Sequence, residues 1–196
     1  MGRFDTGTAL IVVDLQNDFA EPSGSLAVDG GEAVIPVVNA AIHDAVEAGA
    51  LVVATQDWHP ESTPHFAKDG GVWPVHCVGG TWGAELHPSL ELPVDTPRVR
   101  KGVHGEDGYS GFTMRDPVSG EEVPTELEEL LSDRQIERVV VCGLATDYCV
   151  KATAVDAVRL GFAVELLPDA VAAVELEPGD GERAVTEMAD AGVRIG

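Results

Sequence analysis

A chain of 196 residues with 44% hydrophobic content suits one globular domain with a sizeable core, and excludes a disordered or fibrous class. Its 34 acidic residues outnumber 12 basic ones, and the resulting charge of −22 repels phosphates and anionic lipid, so neither nucleic acid nor a membrane is expected as a partner. Acidity of this kind serves solubility or a high-salt habitat more often than binding, and carries no information on fold.

The opening residues MGRFDTGTAL lack an apolar signal core, and no apolar stretch reaches the ~20 residues of a membrane helix, so a cytoplasmic location is expected. Cys77, Cys142 and Cys149 form no CxxC pair and are too few for a disulfide framework, which fits a reducing compartment.

In chain order, TALIVVDLQ is a continuous apolar run ending at Asp14, the pattern of a parallel strand buried on both faces. Glu32 to Ala48 carries Val34, Val37, Val38, Ala41, Ile42 and Val46 at helical spacing, with Gly49 as the stop. ALVVATQD follows as a second strand. Residues 58–97 are rich in Pro, Gly, His and Trp without periodicity, and a loop this long in a compact domain is expected to be functional. PRVRKG gives a short strand ending at Lys101, and SGFTMRDPVSGEEVP gives turns and a small hairpin. A helix is expected over 125–132, a strand at RVVVCG, and a helix capped by Thr146 or Asp147 and running to Gly161. FAVELL, a helix over 177–192 and an edge strand VRIG complete the chain. This alternation predicts an α/β fold, a doubly wound parallel β-sheet with helices on both faces, in a single domain spanning 1–196.

In such sheets sites gather beyond the carboxyl ends of the strands, where Asp14, Asp57, Lys101 and Cys149 all fall. Cys149 is expected in the first turn of its helix, where unpaired N–H groups favour a thiolate; Cys142, inside a strand, reads as an inert core thiol. A thiolate attacking a carbonyl needs a proton partner, which Asp14 and Lys101 can supply, and donors for the oxyanion, which the amides of Ala145 and Cys149 can supply. The competing reading of Lys101 is plain surface charge. Asp57 and His59, two apart in extended chain, can bind one ion, with His65 and His76 closing the shell; carboxylate plus imidazole suits Zn, Fe or Mn. Solvated loop histidines are the alternative. His43 and His87 read as surface residues, and His104 is left open.

The segments VVDLQNDF, TQDWHP, WPVHC, GTWGAELHP, RKG with YSGF, and GLATDYCV together resemble the nicotinamidase branch of the isochorismatase-like cysteine hydrolases across nearly the whole chain. The resemblance implies a triad of Asp14, Lys101 and Cys149, and a metal at Asp57, His59 and His76, with His65 as a further ligand in some members. It also implies a cis peptide between Leu144 and Ala145, turning the Ala145 amide toward the oxyanion, and a ring clamp of Phe19, Trp73 and Tyr109. The stretch between Lys101 and Tyr109 is a residue longer than in some relatives. The implied activity is hydrolysis of nicotinamide, and by extension pyrazinamide, to the acid and ammonia through a cysteine thioester, with one divalent Zn, Fe or Mn ion anchoring the pyridine nitrogen and a role in NAD salvage. The resemblance leaves room for a homo-oligomer. The alternatives are another small-amide hydrolase of the superfamily and a non-catalytic metal-binding module, against which the intact Asp, Lys and Cys set argues.

Overall fold

Six parallel strands form the centre of the protein, in the order β3-β2-β1-β6-β7-β8. The computed structural model describes residues 2–196. Strands β1 (Thr8–Val13), β2 (Leu51–Asp57) and β3 (Arg98–Lys101) step outward in one direction; β6 (Arg138–Leu144), β7 (Ala163–Ala172) and β8 (Arg194–Ile195) step outward in the other. Between β3 and β6, β4 (Thr113–Arg115) and β5 (Glu122–Pro124) pair as an antiparallel hairpin, as the turn-rich sequence implied.

The apolar run of β1 is buried at every position because both sheet faces are covered. Leu10 and Val12 point to one face, where helix α2 (Ile35–Glu47) packs through Ile35, Val38, Ile42 and Ala45. Ala9, Ile11 and Val13 point to the other, against α3 (Leu127–Asp133), α4 (Lys151–Arg159) and α5 (Asp180–Asp190). Each fully buried Val, Leu or Ile contributes about 1.5–3 kcal/mol, so this two-faced seam is the main source of stability. Among the described residues the one further α-helix, α1, is a single turn at Asn17–Ala20.

Strand direction of growth reverses between β1 and β6, which are paired from Thr8–Arg138 to Val13–Gly143. A crevice opens beyond the strand ends at such a reversal. Gly143, at φ 110, makes the approach there: a Cβ on it would lie 2.1 Å from the Val13 carbonyl oxygen.

Three expectations change. The helix after β6 does not begin as an α-helix capped by Thr146 or Asp147; Thr146–Val150 is a π-helical turn, and no side chain caps it. The Asp147 carboxylate instead accepts the amides of Val174 and Glu175, at 2.9 and 3.0 Å. Strand β7 runs past FAVELL to Ala172, resuming after a register shift opposite Val141 and Gly143. His87 is buried, not on the surface, because Glu21 lies 2.9 Å from its Nε2. His43 and His104 are exposed. Residues 58–97 hold no strand, only short 3₁₀ turns at Ala67–Asp69 and Trp82–Ala84. Among the described residues, no helix is long and apolar enough to cross a membrane.

Candidate active site

Lys101 ends β3 fully buried, with its ammonium inside the crevice. Its three hydrogens have three acceptors: Asp14 Oδ2 at 2.7 Å, the Tyr109 carbonyl at 3.1 Å and Cys149 Sγ at 3.5 Å. Asp57 Oδ1 also lies 2.9 Å from Nζ, a contact that pairs charges without hydrogen-bond alignment. Burial alone would strip the ammonium of its proton, yet Asp14, Asp57 and Cys149 outweigh it and hold the Lys101 pKa well above the usual lysine value.

Asp14 follows β1 at a positive φ of 45°, which turns its carboxylate back under the strand ends. Thr55 Oγ1 donates to Asp14 Oδ1 at 2.6 Å. Burial raises the Asp14 pKa, and the opposing influence of Lys101 and Thr55 does not cancel that rise. Single donor atoms of Asp14, Asp57 and Cys149 all lie within 4.8 Å of one another.

Cys149 sits in the π-helical turn after β6, and its thiol pKa is raised well above the ordinary value, by burial first, with Lys101 only partly offsetting it. The expectation of a thiolate favoured by a helix terminus is therefore corrected. A terminus is worth about 0.3–1 kcal/mol, which full burial between two carboxylates exceeds. The resting group is a thiol within reach of Asp14. Cys142 is an inert core thiol, pushed up to about 12 by burial. The Leu144–Ala145 peptide is cis.

Facing this group across the crevice, one ring nitrogen each from His59, His65 and His76 fall within 4.8 Å of one another. Asp57 Oδ2 lies 3.8 Å from His59 Nε2 and 3.9 Å from His76 Nε2. The bonds made on the far sides of the rings fix their tautomers. His76 Nδ1 donates to the Pro74 carbonyl at 2.8 Å and His65 Nδ1 lies 2.6 Å from Asp107 Oδ1, leaving both Nε2 lone pairs free. Both ring nitrogens of His59 are buried without a hydrogen-bond partner. Burial lowers the His76 pKa to about 4, so the ring is neutral near pH 7. Three imidazoles converging with an ionised carboxylate, one ring orphaned, fit a divalent transition metal; fixing ligands through their outer nitrogens is typical of such sites.

Cys149, Asp57, His65 and His76 line one small pocket; Asp14, Lys101 and His59 are buried beside these residues without lining it. Phe19, Trp73 and Tyr109 all line it. Trp73 Nε1 donates to the Tyr109 hydroxyl at 3.0 Å, and Phe19 tilts against His76 with ring centroids 5.4 Å apart. A wider groove beyond Tyr109, lined by Arg115, Lys151 and Glu187, holds none of the triad or imidazoles.

A family model described as the isochorismatase domain matches residues 8–195. The chain belongs to the isochorismatase family. It is 38% identical to a nicotinamidase of Escherichia coli over 95% of this chain and 93% of that one. Among solved structures, a pyrazinamidase of Pyrococcus horikoshii in complex with zinc superposes at a TM-score of 0.86 with 45% identity, covering 97% of this chain and 98% of that one. PnC1 from L. infantum in complex with nicotinate gives a TM-score of 0.86 at 43% identity, covering 97% and 92%.

Sequence reasoning missed two residues of this site, one that lines the pocket and one that braces it. Tyr148 lines it and meets Trp73 and Tyr109 edge-on, with centroids 5.0 and 5.2 Å away. Its only sequence signal was adjacency to Cys149. Gln16 is fully buried and clamps Asp57 from the backbone: Nε2 donates to the Asp57 carbonyl at 2.7 Å, and Oε1 accepts the Asp57 amide at 2.8 Å. A buried glutamine directly after a strand was the available sign.

Proposed function

We propose that this amidohydrolase converts nicotinamide to nicotinate and ammonia, with Cys149 as nucleophile, Asp14 as the group that takes and returns protons, and Lys101 as the ammonium that holds the two in register. The observation that carries the reading is a cysteine and an aspartate sharing one buried lysine, with the cysteine lining the same pocket as two of three converging imidazoles. The similarity to a zinc-bound pyrazinamidase and to a nicotinate complex supports it.

In this mechanism Asp14 accepts the thiol proton as Sγ bonds to the carboxamide carbon, and the carbonyl electron pair moves onto oxygen. The amides of Ala145 and Cys149 donate to that oxyanion; one such donor is worth about 10²–10³ in rate. Asp14 returns the proton to the nitrogen, the C–N bond breaks, and ammonia leaves a thioester on Cys149. A water molecule then adds to the thioester carbon as Asp14 takes its proton. The C–S bond breaks, the thiol is re-formed from that proton, and the released acid ionises to nicotinate. Phe19, Trp73 and Tyr109 enclose the ring and exclude bulk water.

Asp57, His59, His65 and His76 would hold one divalent Zn, Fe or Mn ion, which when bound supplies a coordination position for the ring nitrogen. A ring held there at its nitrogen presents a carboxamide meta to it at a fixed reach toward Cys149. Pyrazinamide keeps a nitrogen at that position and is expected to be hydrolysed too.

The test is ammonia release from nicotinamide by the protein as purified, after prolonged chelation, and after restoring Zn, Mn or Fe, with benzamide in parallel. Nicotinamide turnover lost on chelation and regained with metal is expected, with benzamide much poorer, and no turnover in Cys149→Ala despite unchanged metal content. A metal-free protein that hydrolyses benzamide as fast as nicotinamide would replace this reading with a more general small-amide hydrolase.

A further inference from the structure

The segment from Gly102 to Ser110 leaves β3 through a turn, closed by the Gly105 amide on the Gly102 carbonyl at 3.0 Å, and then lies as a strap against the metal-binding loop, which three of its residues contact. The Gly105 carbonyl accepts Thr63 Oγ1 at 3.3 Å, the Asp107 carboxylate meets His65 Nδ1 at 2.6 Å, and the Tyr109 hydroxyl accepts Trp73 Nε1 at 3.0 Å. The strap is fixed on its outer side as well, since the Asp107 amide donates to the Arg115 carbonyl of the hairpin at 2.8 Å. Asp107 Oδ1 additionally accepts the Gly108 amide at 2.8 Å, which sets the carboxylate in one orientation.

Of the three imidazoles, only His65 has its outer nitrogen bonded to a carboxylate. His76 uses a backbone carbonyl two residues away, and His59 has no partner. The Asp107 bond fixes the His65 proton on Nδ1, directs Nε2 inward, and makes the ring a stronger donor. It also joins the metal loop to the strap that carries Tyr109.

We propose that Asp107 is a positioning residue that makes His65 a full metal ligand and thereby couples metal occupancy to the placement of the strap over the pocket. The inference rests on the metal role proposed above for Asp57, His59, His65 and His76. Metal bound at His65 draws the ring inward, the bond to Asp107 draws the strap with it, and Tyr109 is set against Trp73 at the pocket wall.

The test is zinc affinity of the metal-free protein, measured by competition with a chromophoric chelator, for the parent, Asp107→Ala, Asp107→Asn and Thr63→Ala. Asp107→Ala should bind zinc about 10–100-fold more weakly, the usual effect of removing an outer partner of a histidine ligand. Asp107→Asn should fall between, because an amide oxygen accepts the same N–H without the charge. Thr63→Ala removes a strap contact, and with it a long 3.4 Å acceptor for the His65 backbone amide, but leaves the bond between Asp107 and the His65 ring in place, and should leave zinc affinity near the parent value. The visible spectrum of the cobalt-loaded protein should change in Asp107→Ala and not in Thr63→Ala. Hydrogen exchange over 102–110 should slow on adding zinc to the parent, and much less in Asp107→Ala. Zinc affinity unchanged in Asp107→Ala, or lowered equally in Thr63→Ala, overturns the inference while leaving the proposed function intact. A parent that binds no metal but hydrolyses nicotinamide overturns the metal assignment and this inference together.

Discussion

Asp14 and Cys149 are both harder to ionise than free carboxyl and thiol groups, and burial is the first cause in each case. A base with a raised pKa is a better match for a thiol, so the same burial that makes the thiol reluctant makes its acceptor stronger. The sign of the pH dependence follows. In the proposed mechanism Asp14 acts in its deprotonated form, so kcat/KM should be present above its raised pKa and fall as pH drops through it, with the acid limb above the ordinary aspartate value of 3.8. Thr55 donates to this carboxylate and so favours its charged form. Removing that bond in Thr55→Val should move the acid limb to still higher pH. The profile of kcat/KM against pH reports the free enzyme and is the measurement to make. An acid limb that stays in place in Thr55→Val would assign it to a different group. Lys101 opposes the rise in Asp14 and so favours its ionised form in this buried site.

The crevice exists because β1 and β6 lie side by side while their connections depart in opposite directions, and at Gly143 the neighbouring strand leaves no room for a side chain. A methyl group there meets the Val13 backbone, not a yielding side chain, at a φ that L residues rarely adopt. Gly143→Ala should therefore destabilise the protein by more than the roughly 1 kcal/mol of an ordinary strained glycine site. It should also displace Asp14 and Cys149, which follow these strands, so turnover should fall even in the fraction that remains folded. Denaturant unfolding alongside the specific activity of folded material checks both, and parent-like stability would mean the strands can separate without penalty.

These same elements show what could be read from sequence. β1, β2 and β6 were legible because strands covered on both faces are continuous apolar runs, and the residues at their ends were placed by that alone. β7 beyond Leu167 was not, because Pro168 and Asp169 break the apolar pattern while the strand resumes on the far side of a register shift. Nor was the π-helical turn, whose spacing differs from an α-helix by one residue over a single turn. His87 beside a proline gave no hint of Glu21, a partner 66 residues away. Long-range pairs of this kind are invisible to local pattern, whereas the converging histidines stood out because several lie close together in one segment.

Across the whole molecule the balance of charge is decided by number. Twelve cations can neutralise at most 12 of 34 acidic groups, and one of them, Lys101, is committed to the pocket. Exposed pairs such as Arg159–Asp156 and Lys151–Glu187 contribute about 0–1 kcal/mol each and weaken with salt. The 22 surplus carboxylates repel one another, and salt weakens that repulsion as well, with a screening length of about 10 Å near 0.1 M. The surplus outnumbers the exposed pairs, so relief of repulsion should win. A neutral carboxamide approaches this field without penalty, while a carboxylate product is driven outward by it, so the acidity suits the proposed reaction without being needed for it. The melting temperature should rise by several degrees between about 0.05 and 0.5 M potassium chloride, where about 1 kcal/mol corresponds to roughly 2–4 °C for a chain of this size. Chloride is the salt to use, because sulfate strengthens apolar burial by itself and would raise the melting temperature of a neutral protein as well. A melting temperature that stays flat or falls over this range would show that the surface ion pairs, few as they are, outweigh the repulsion among the unpaired carboxylates.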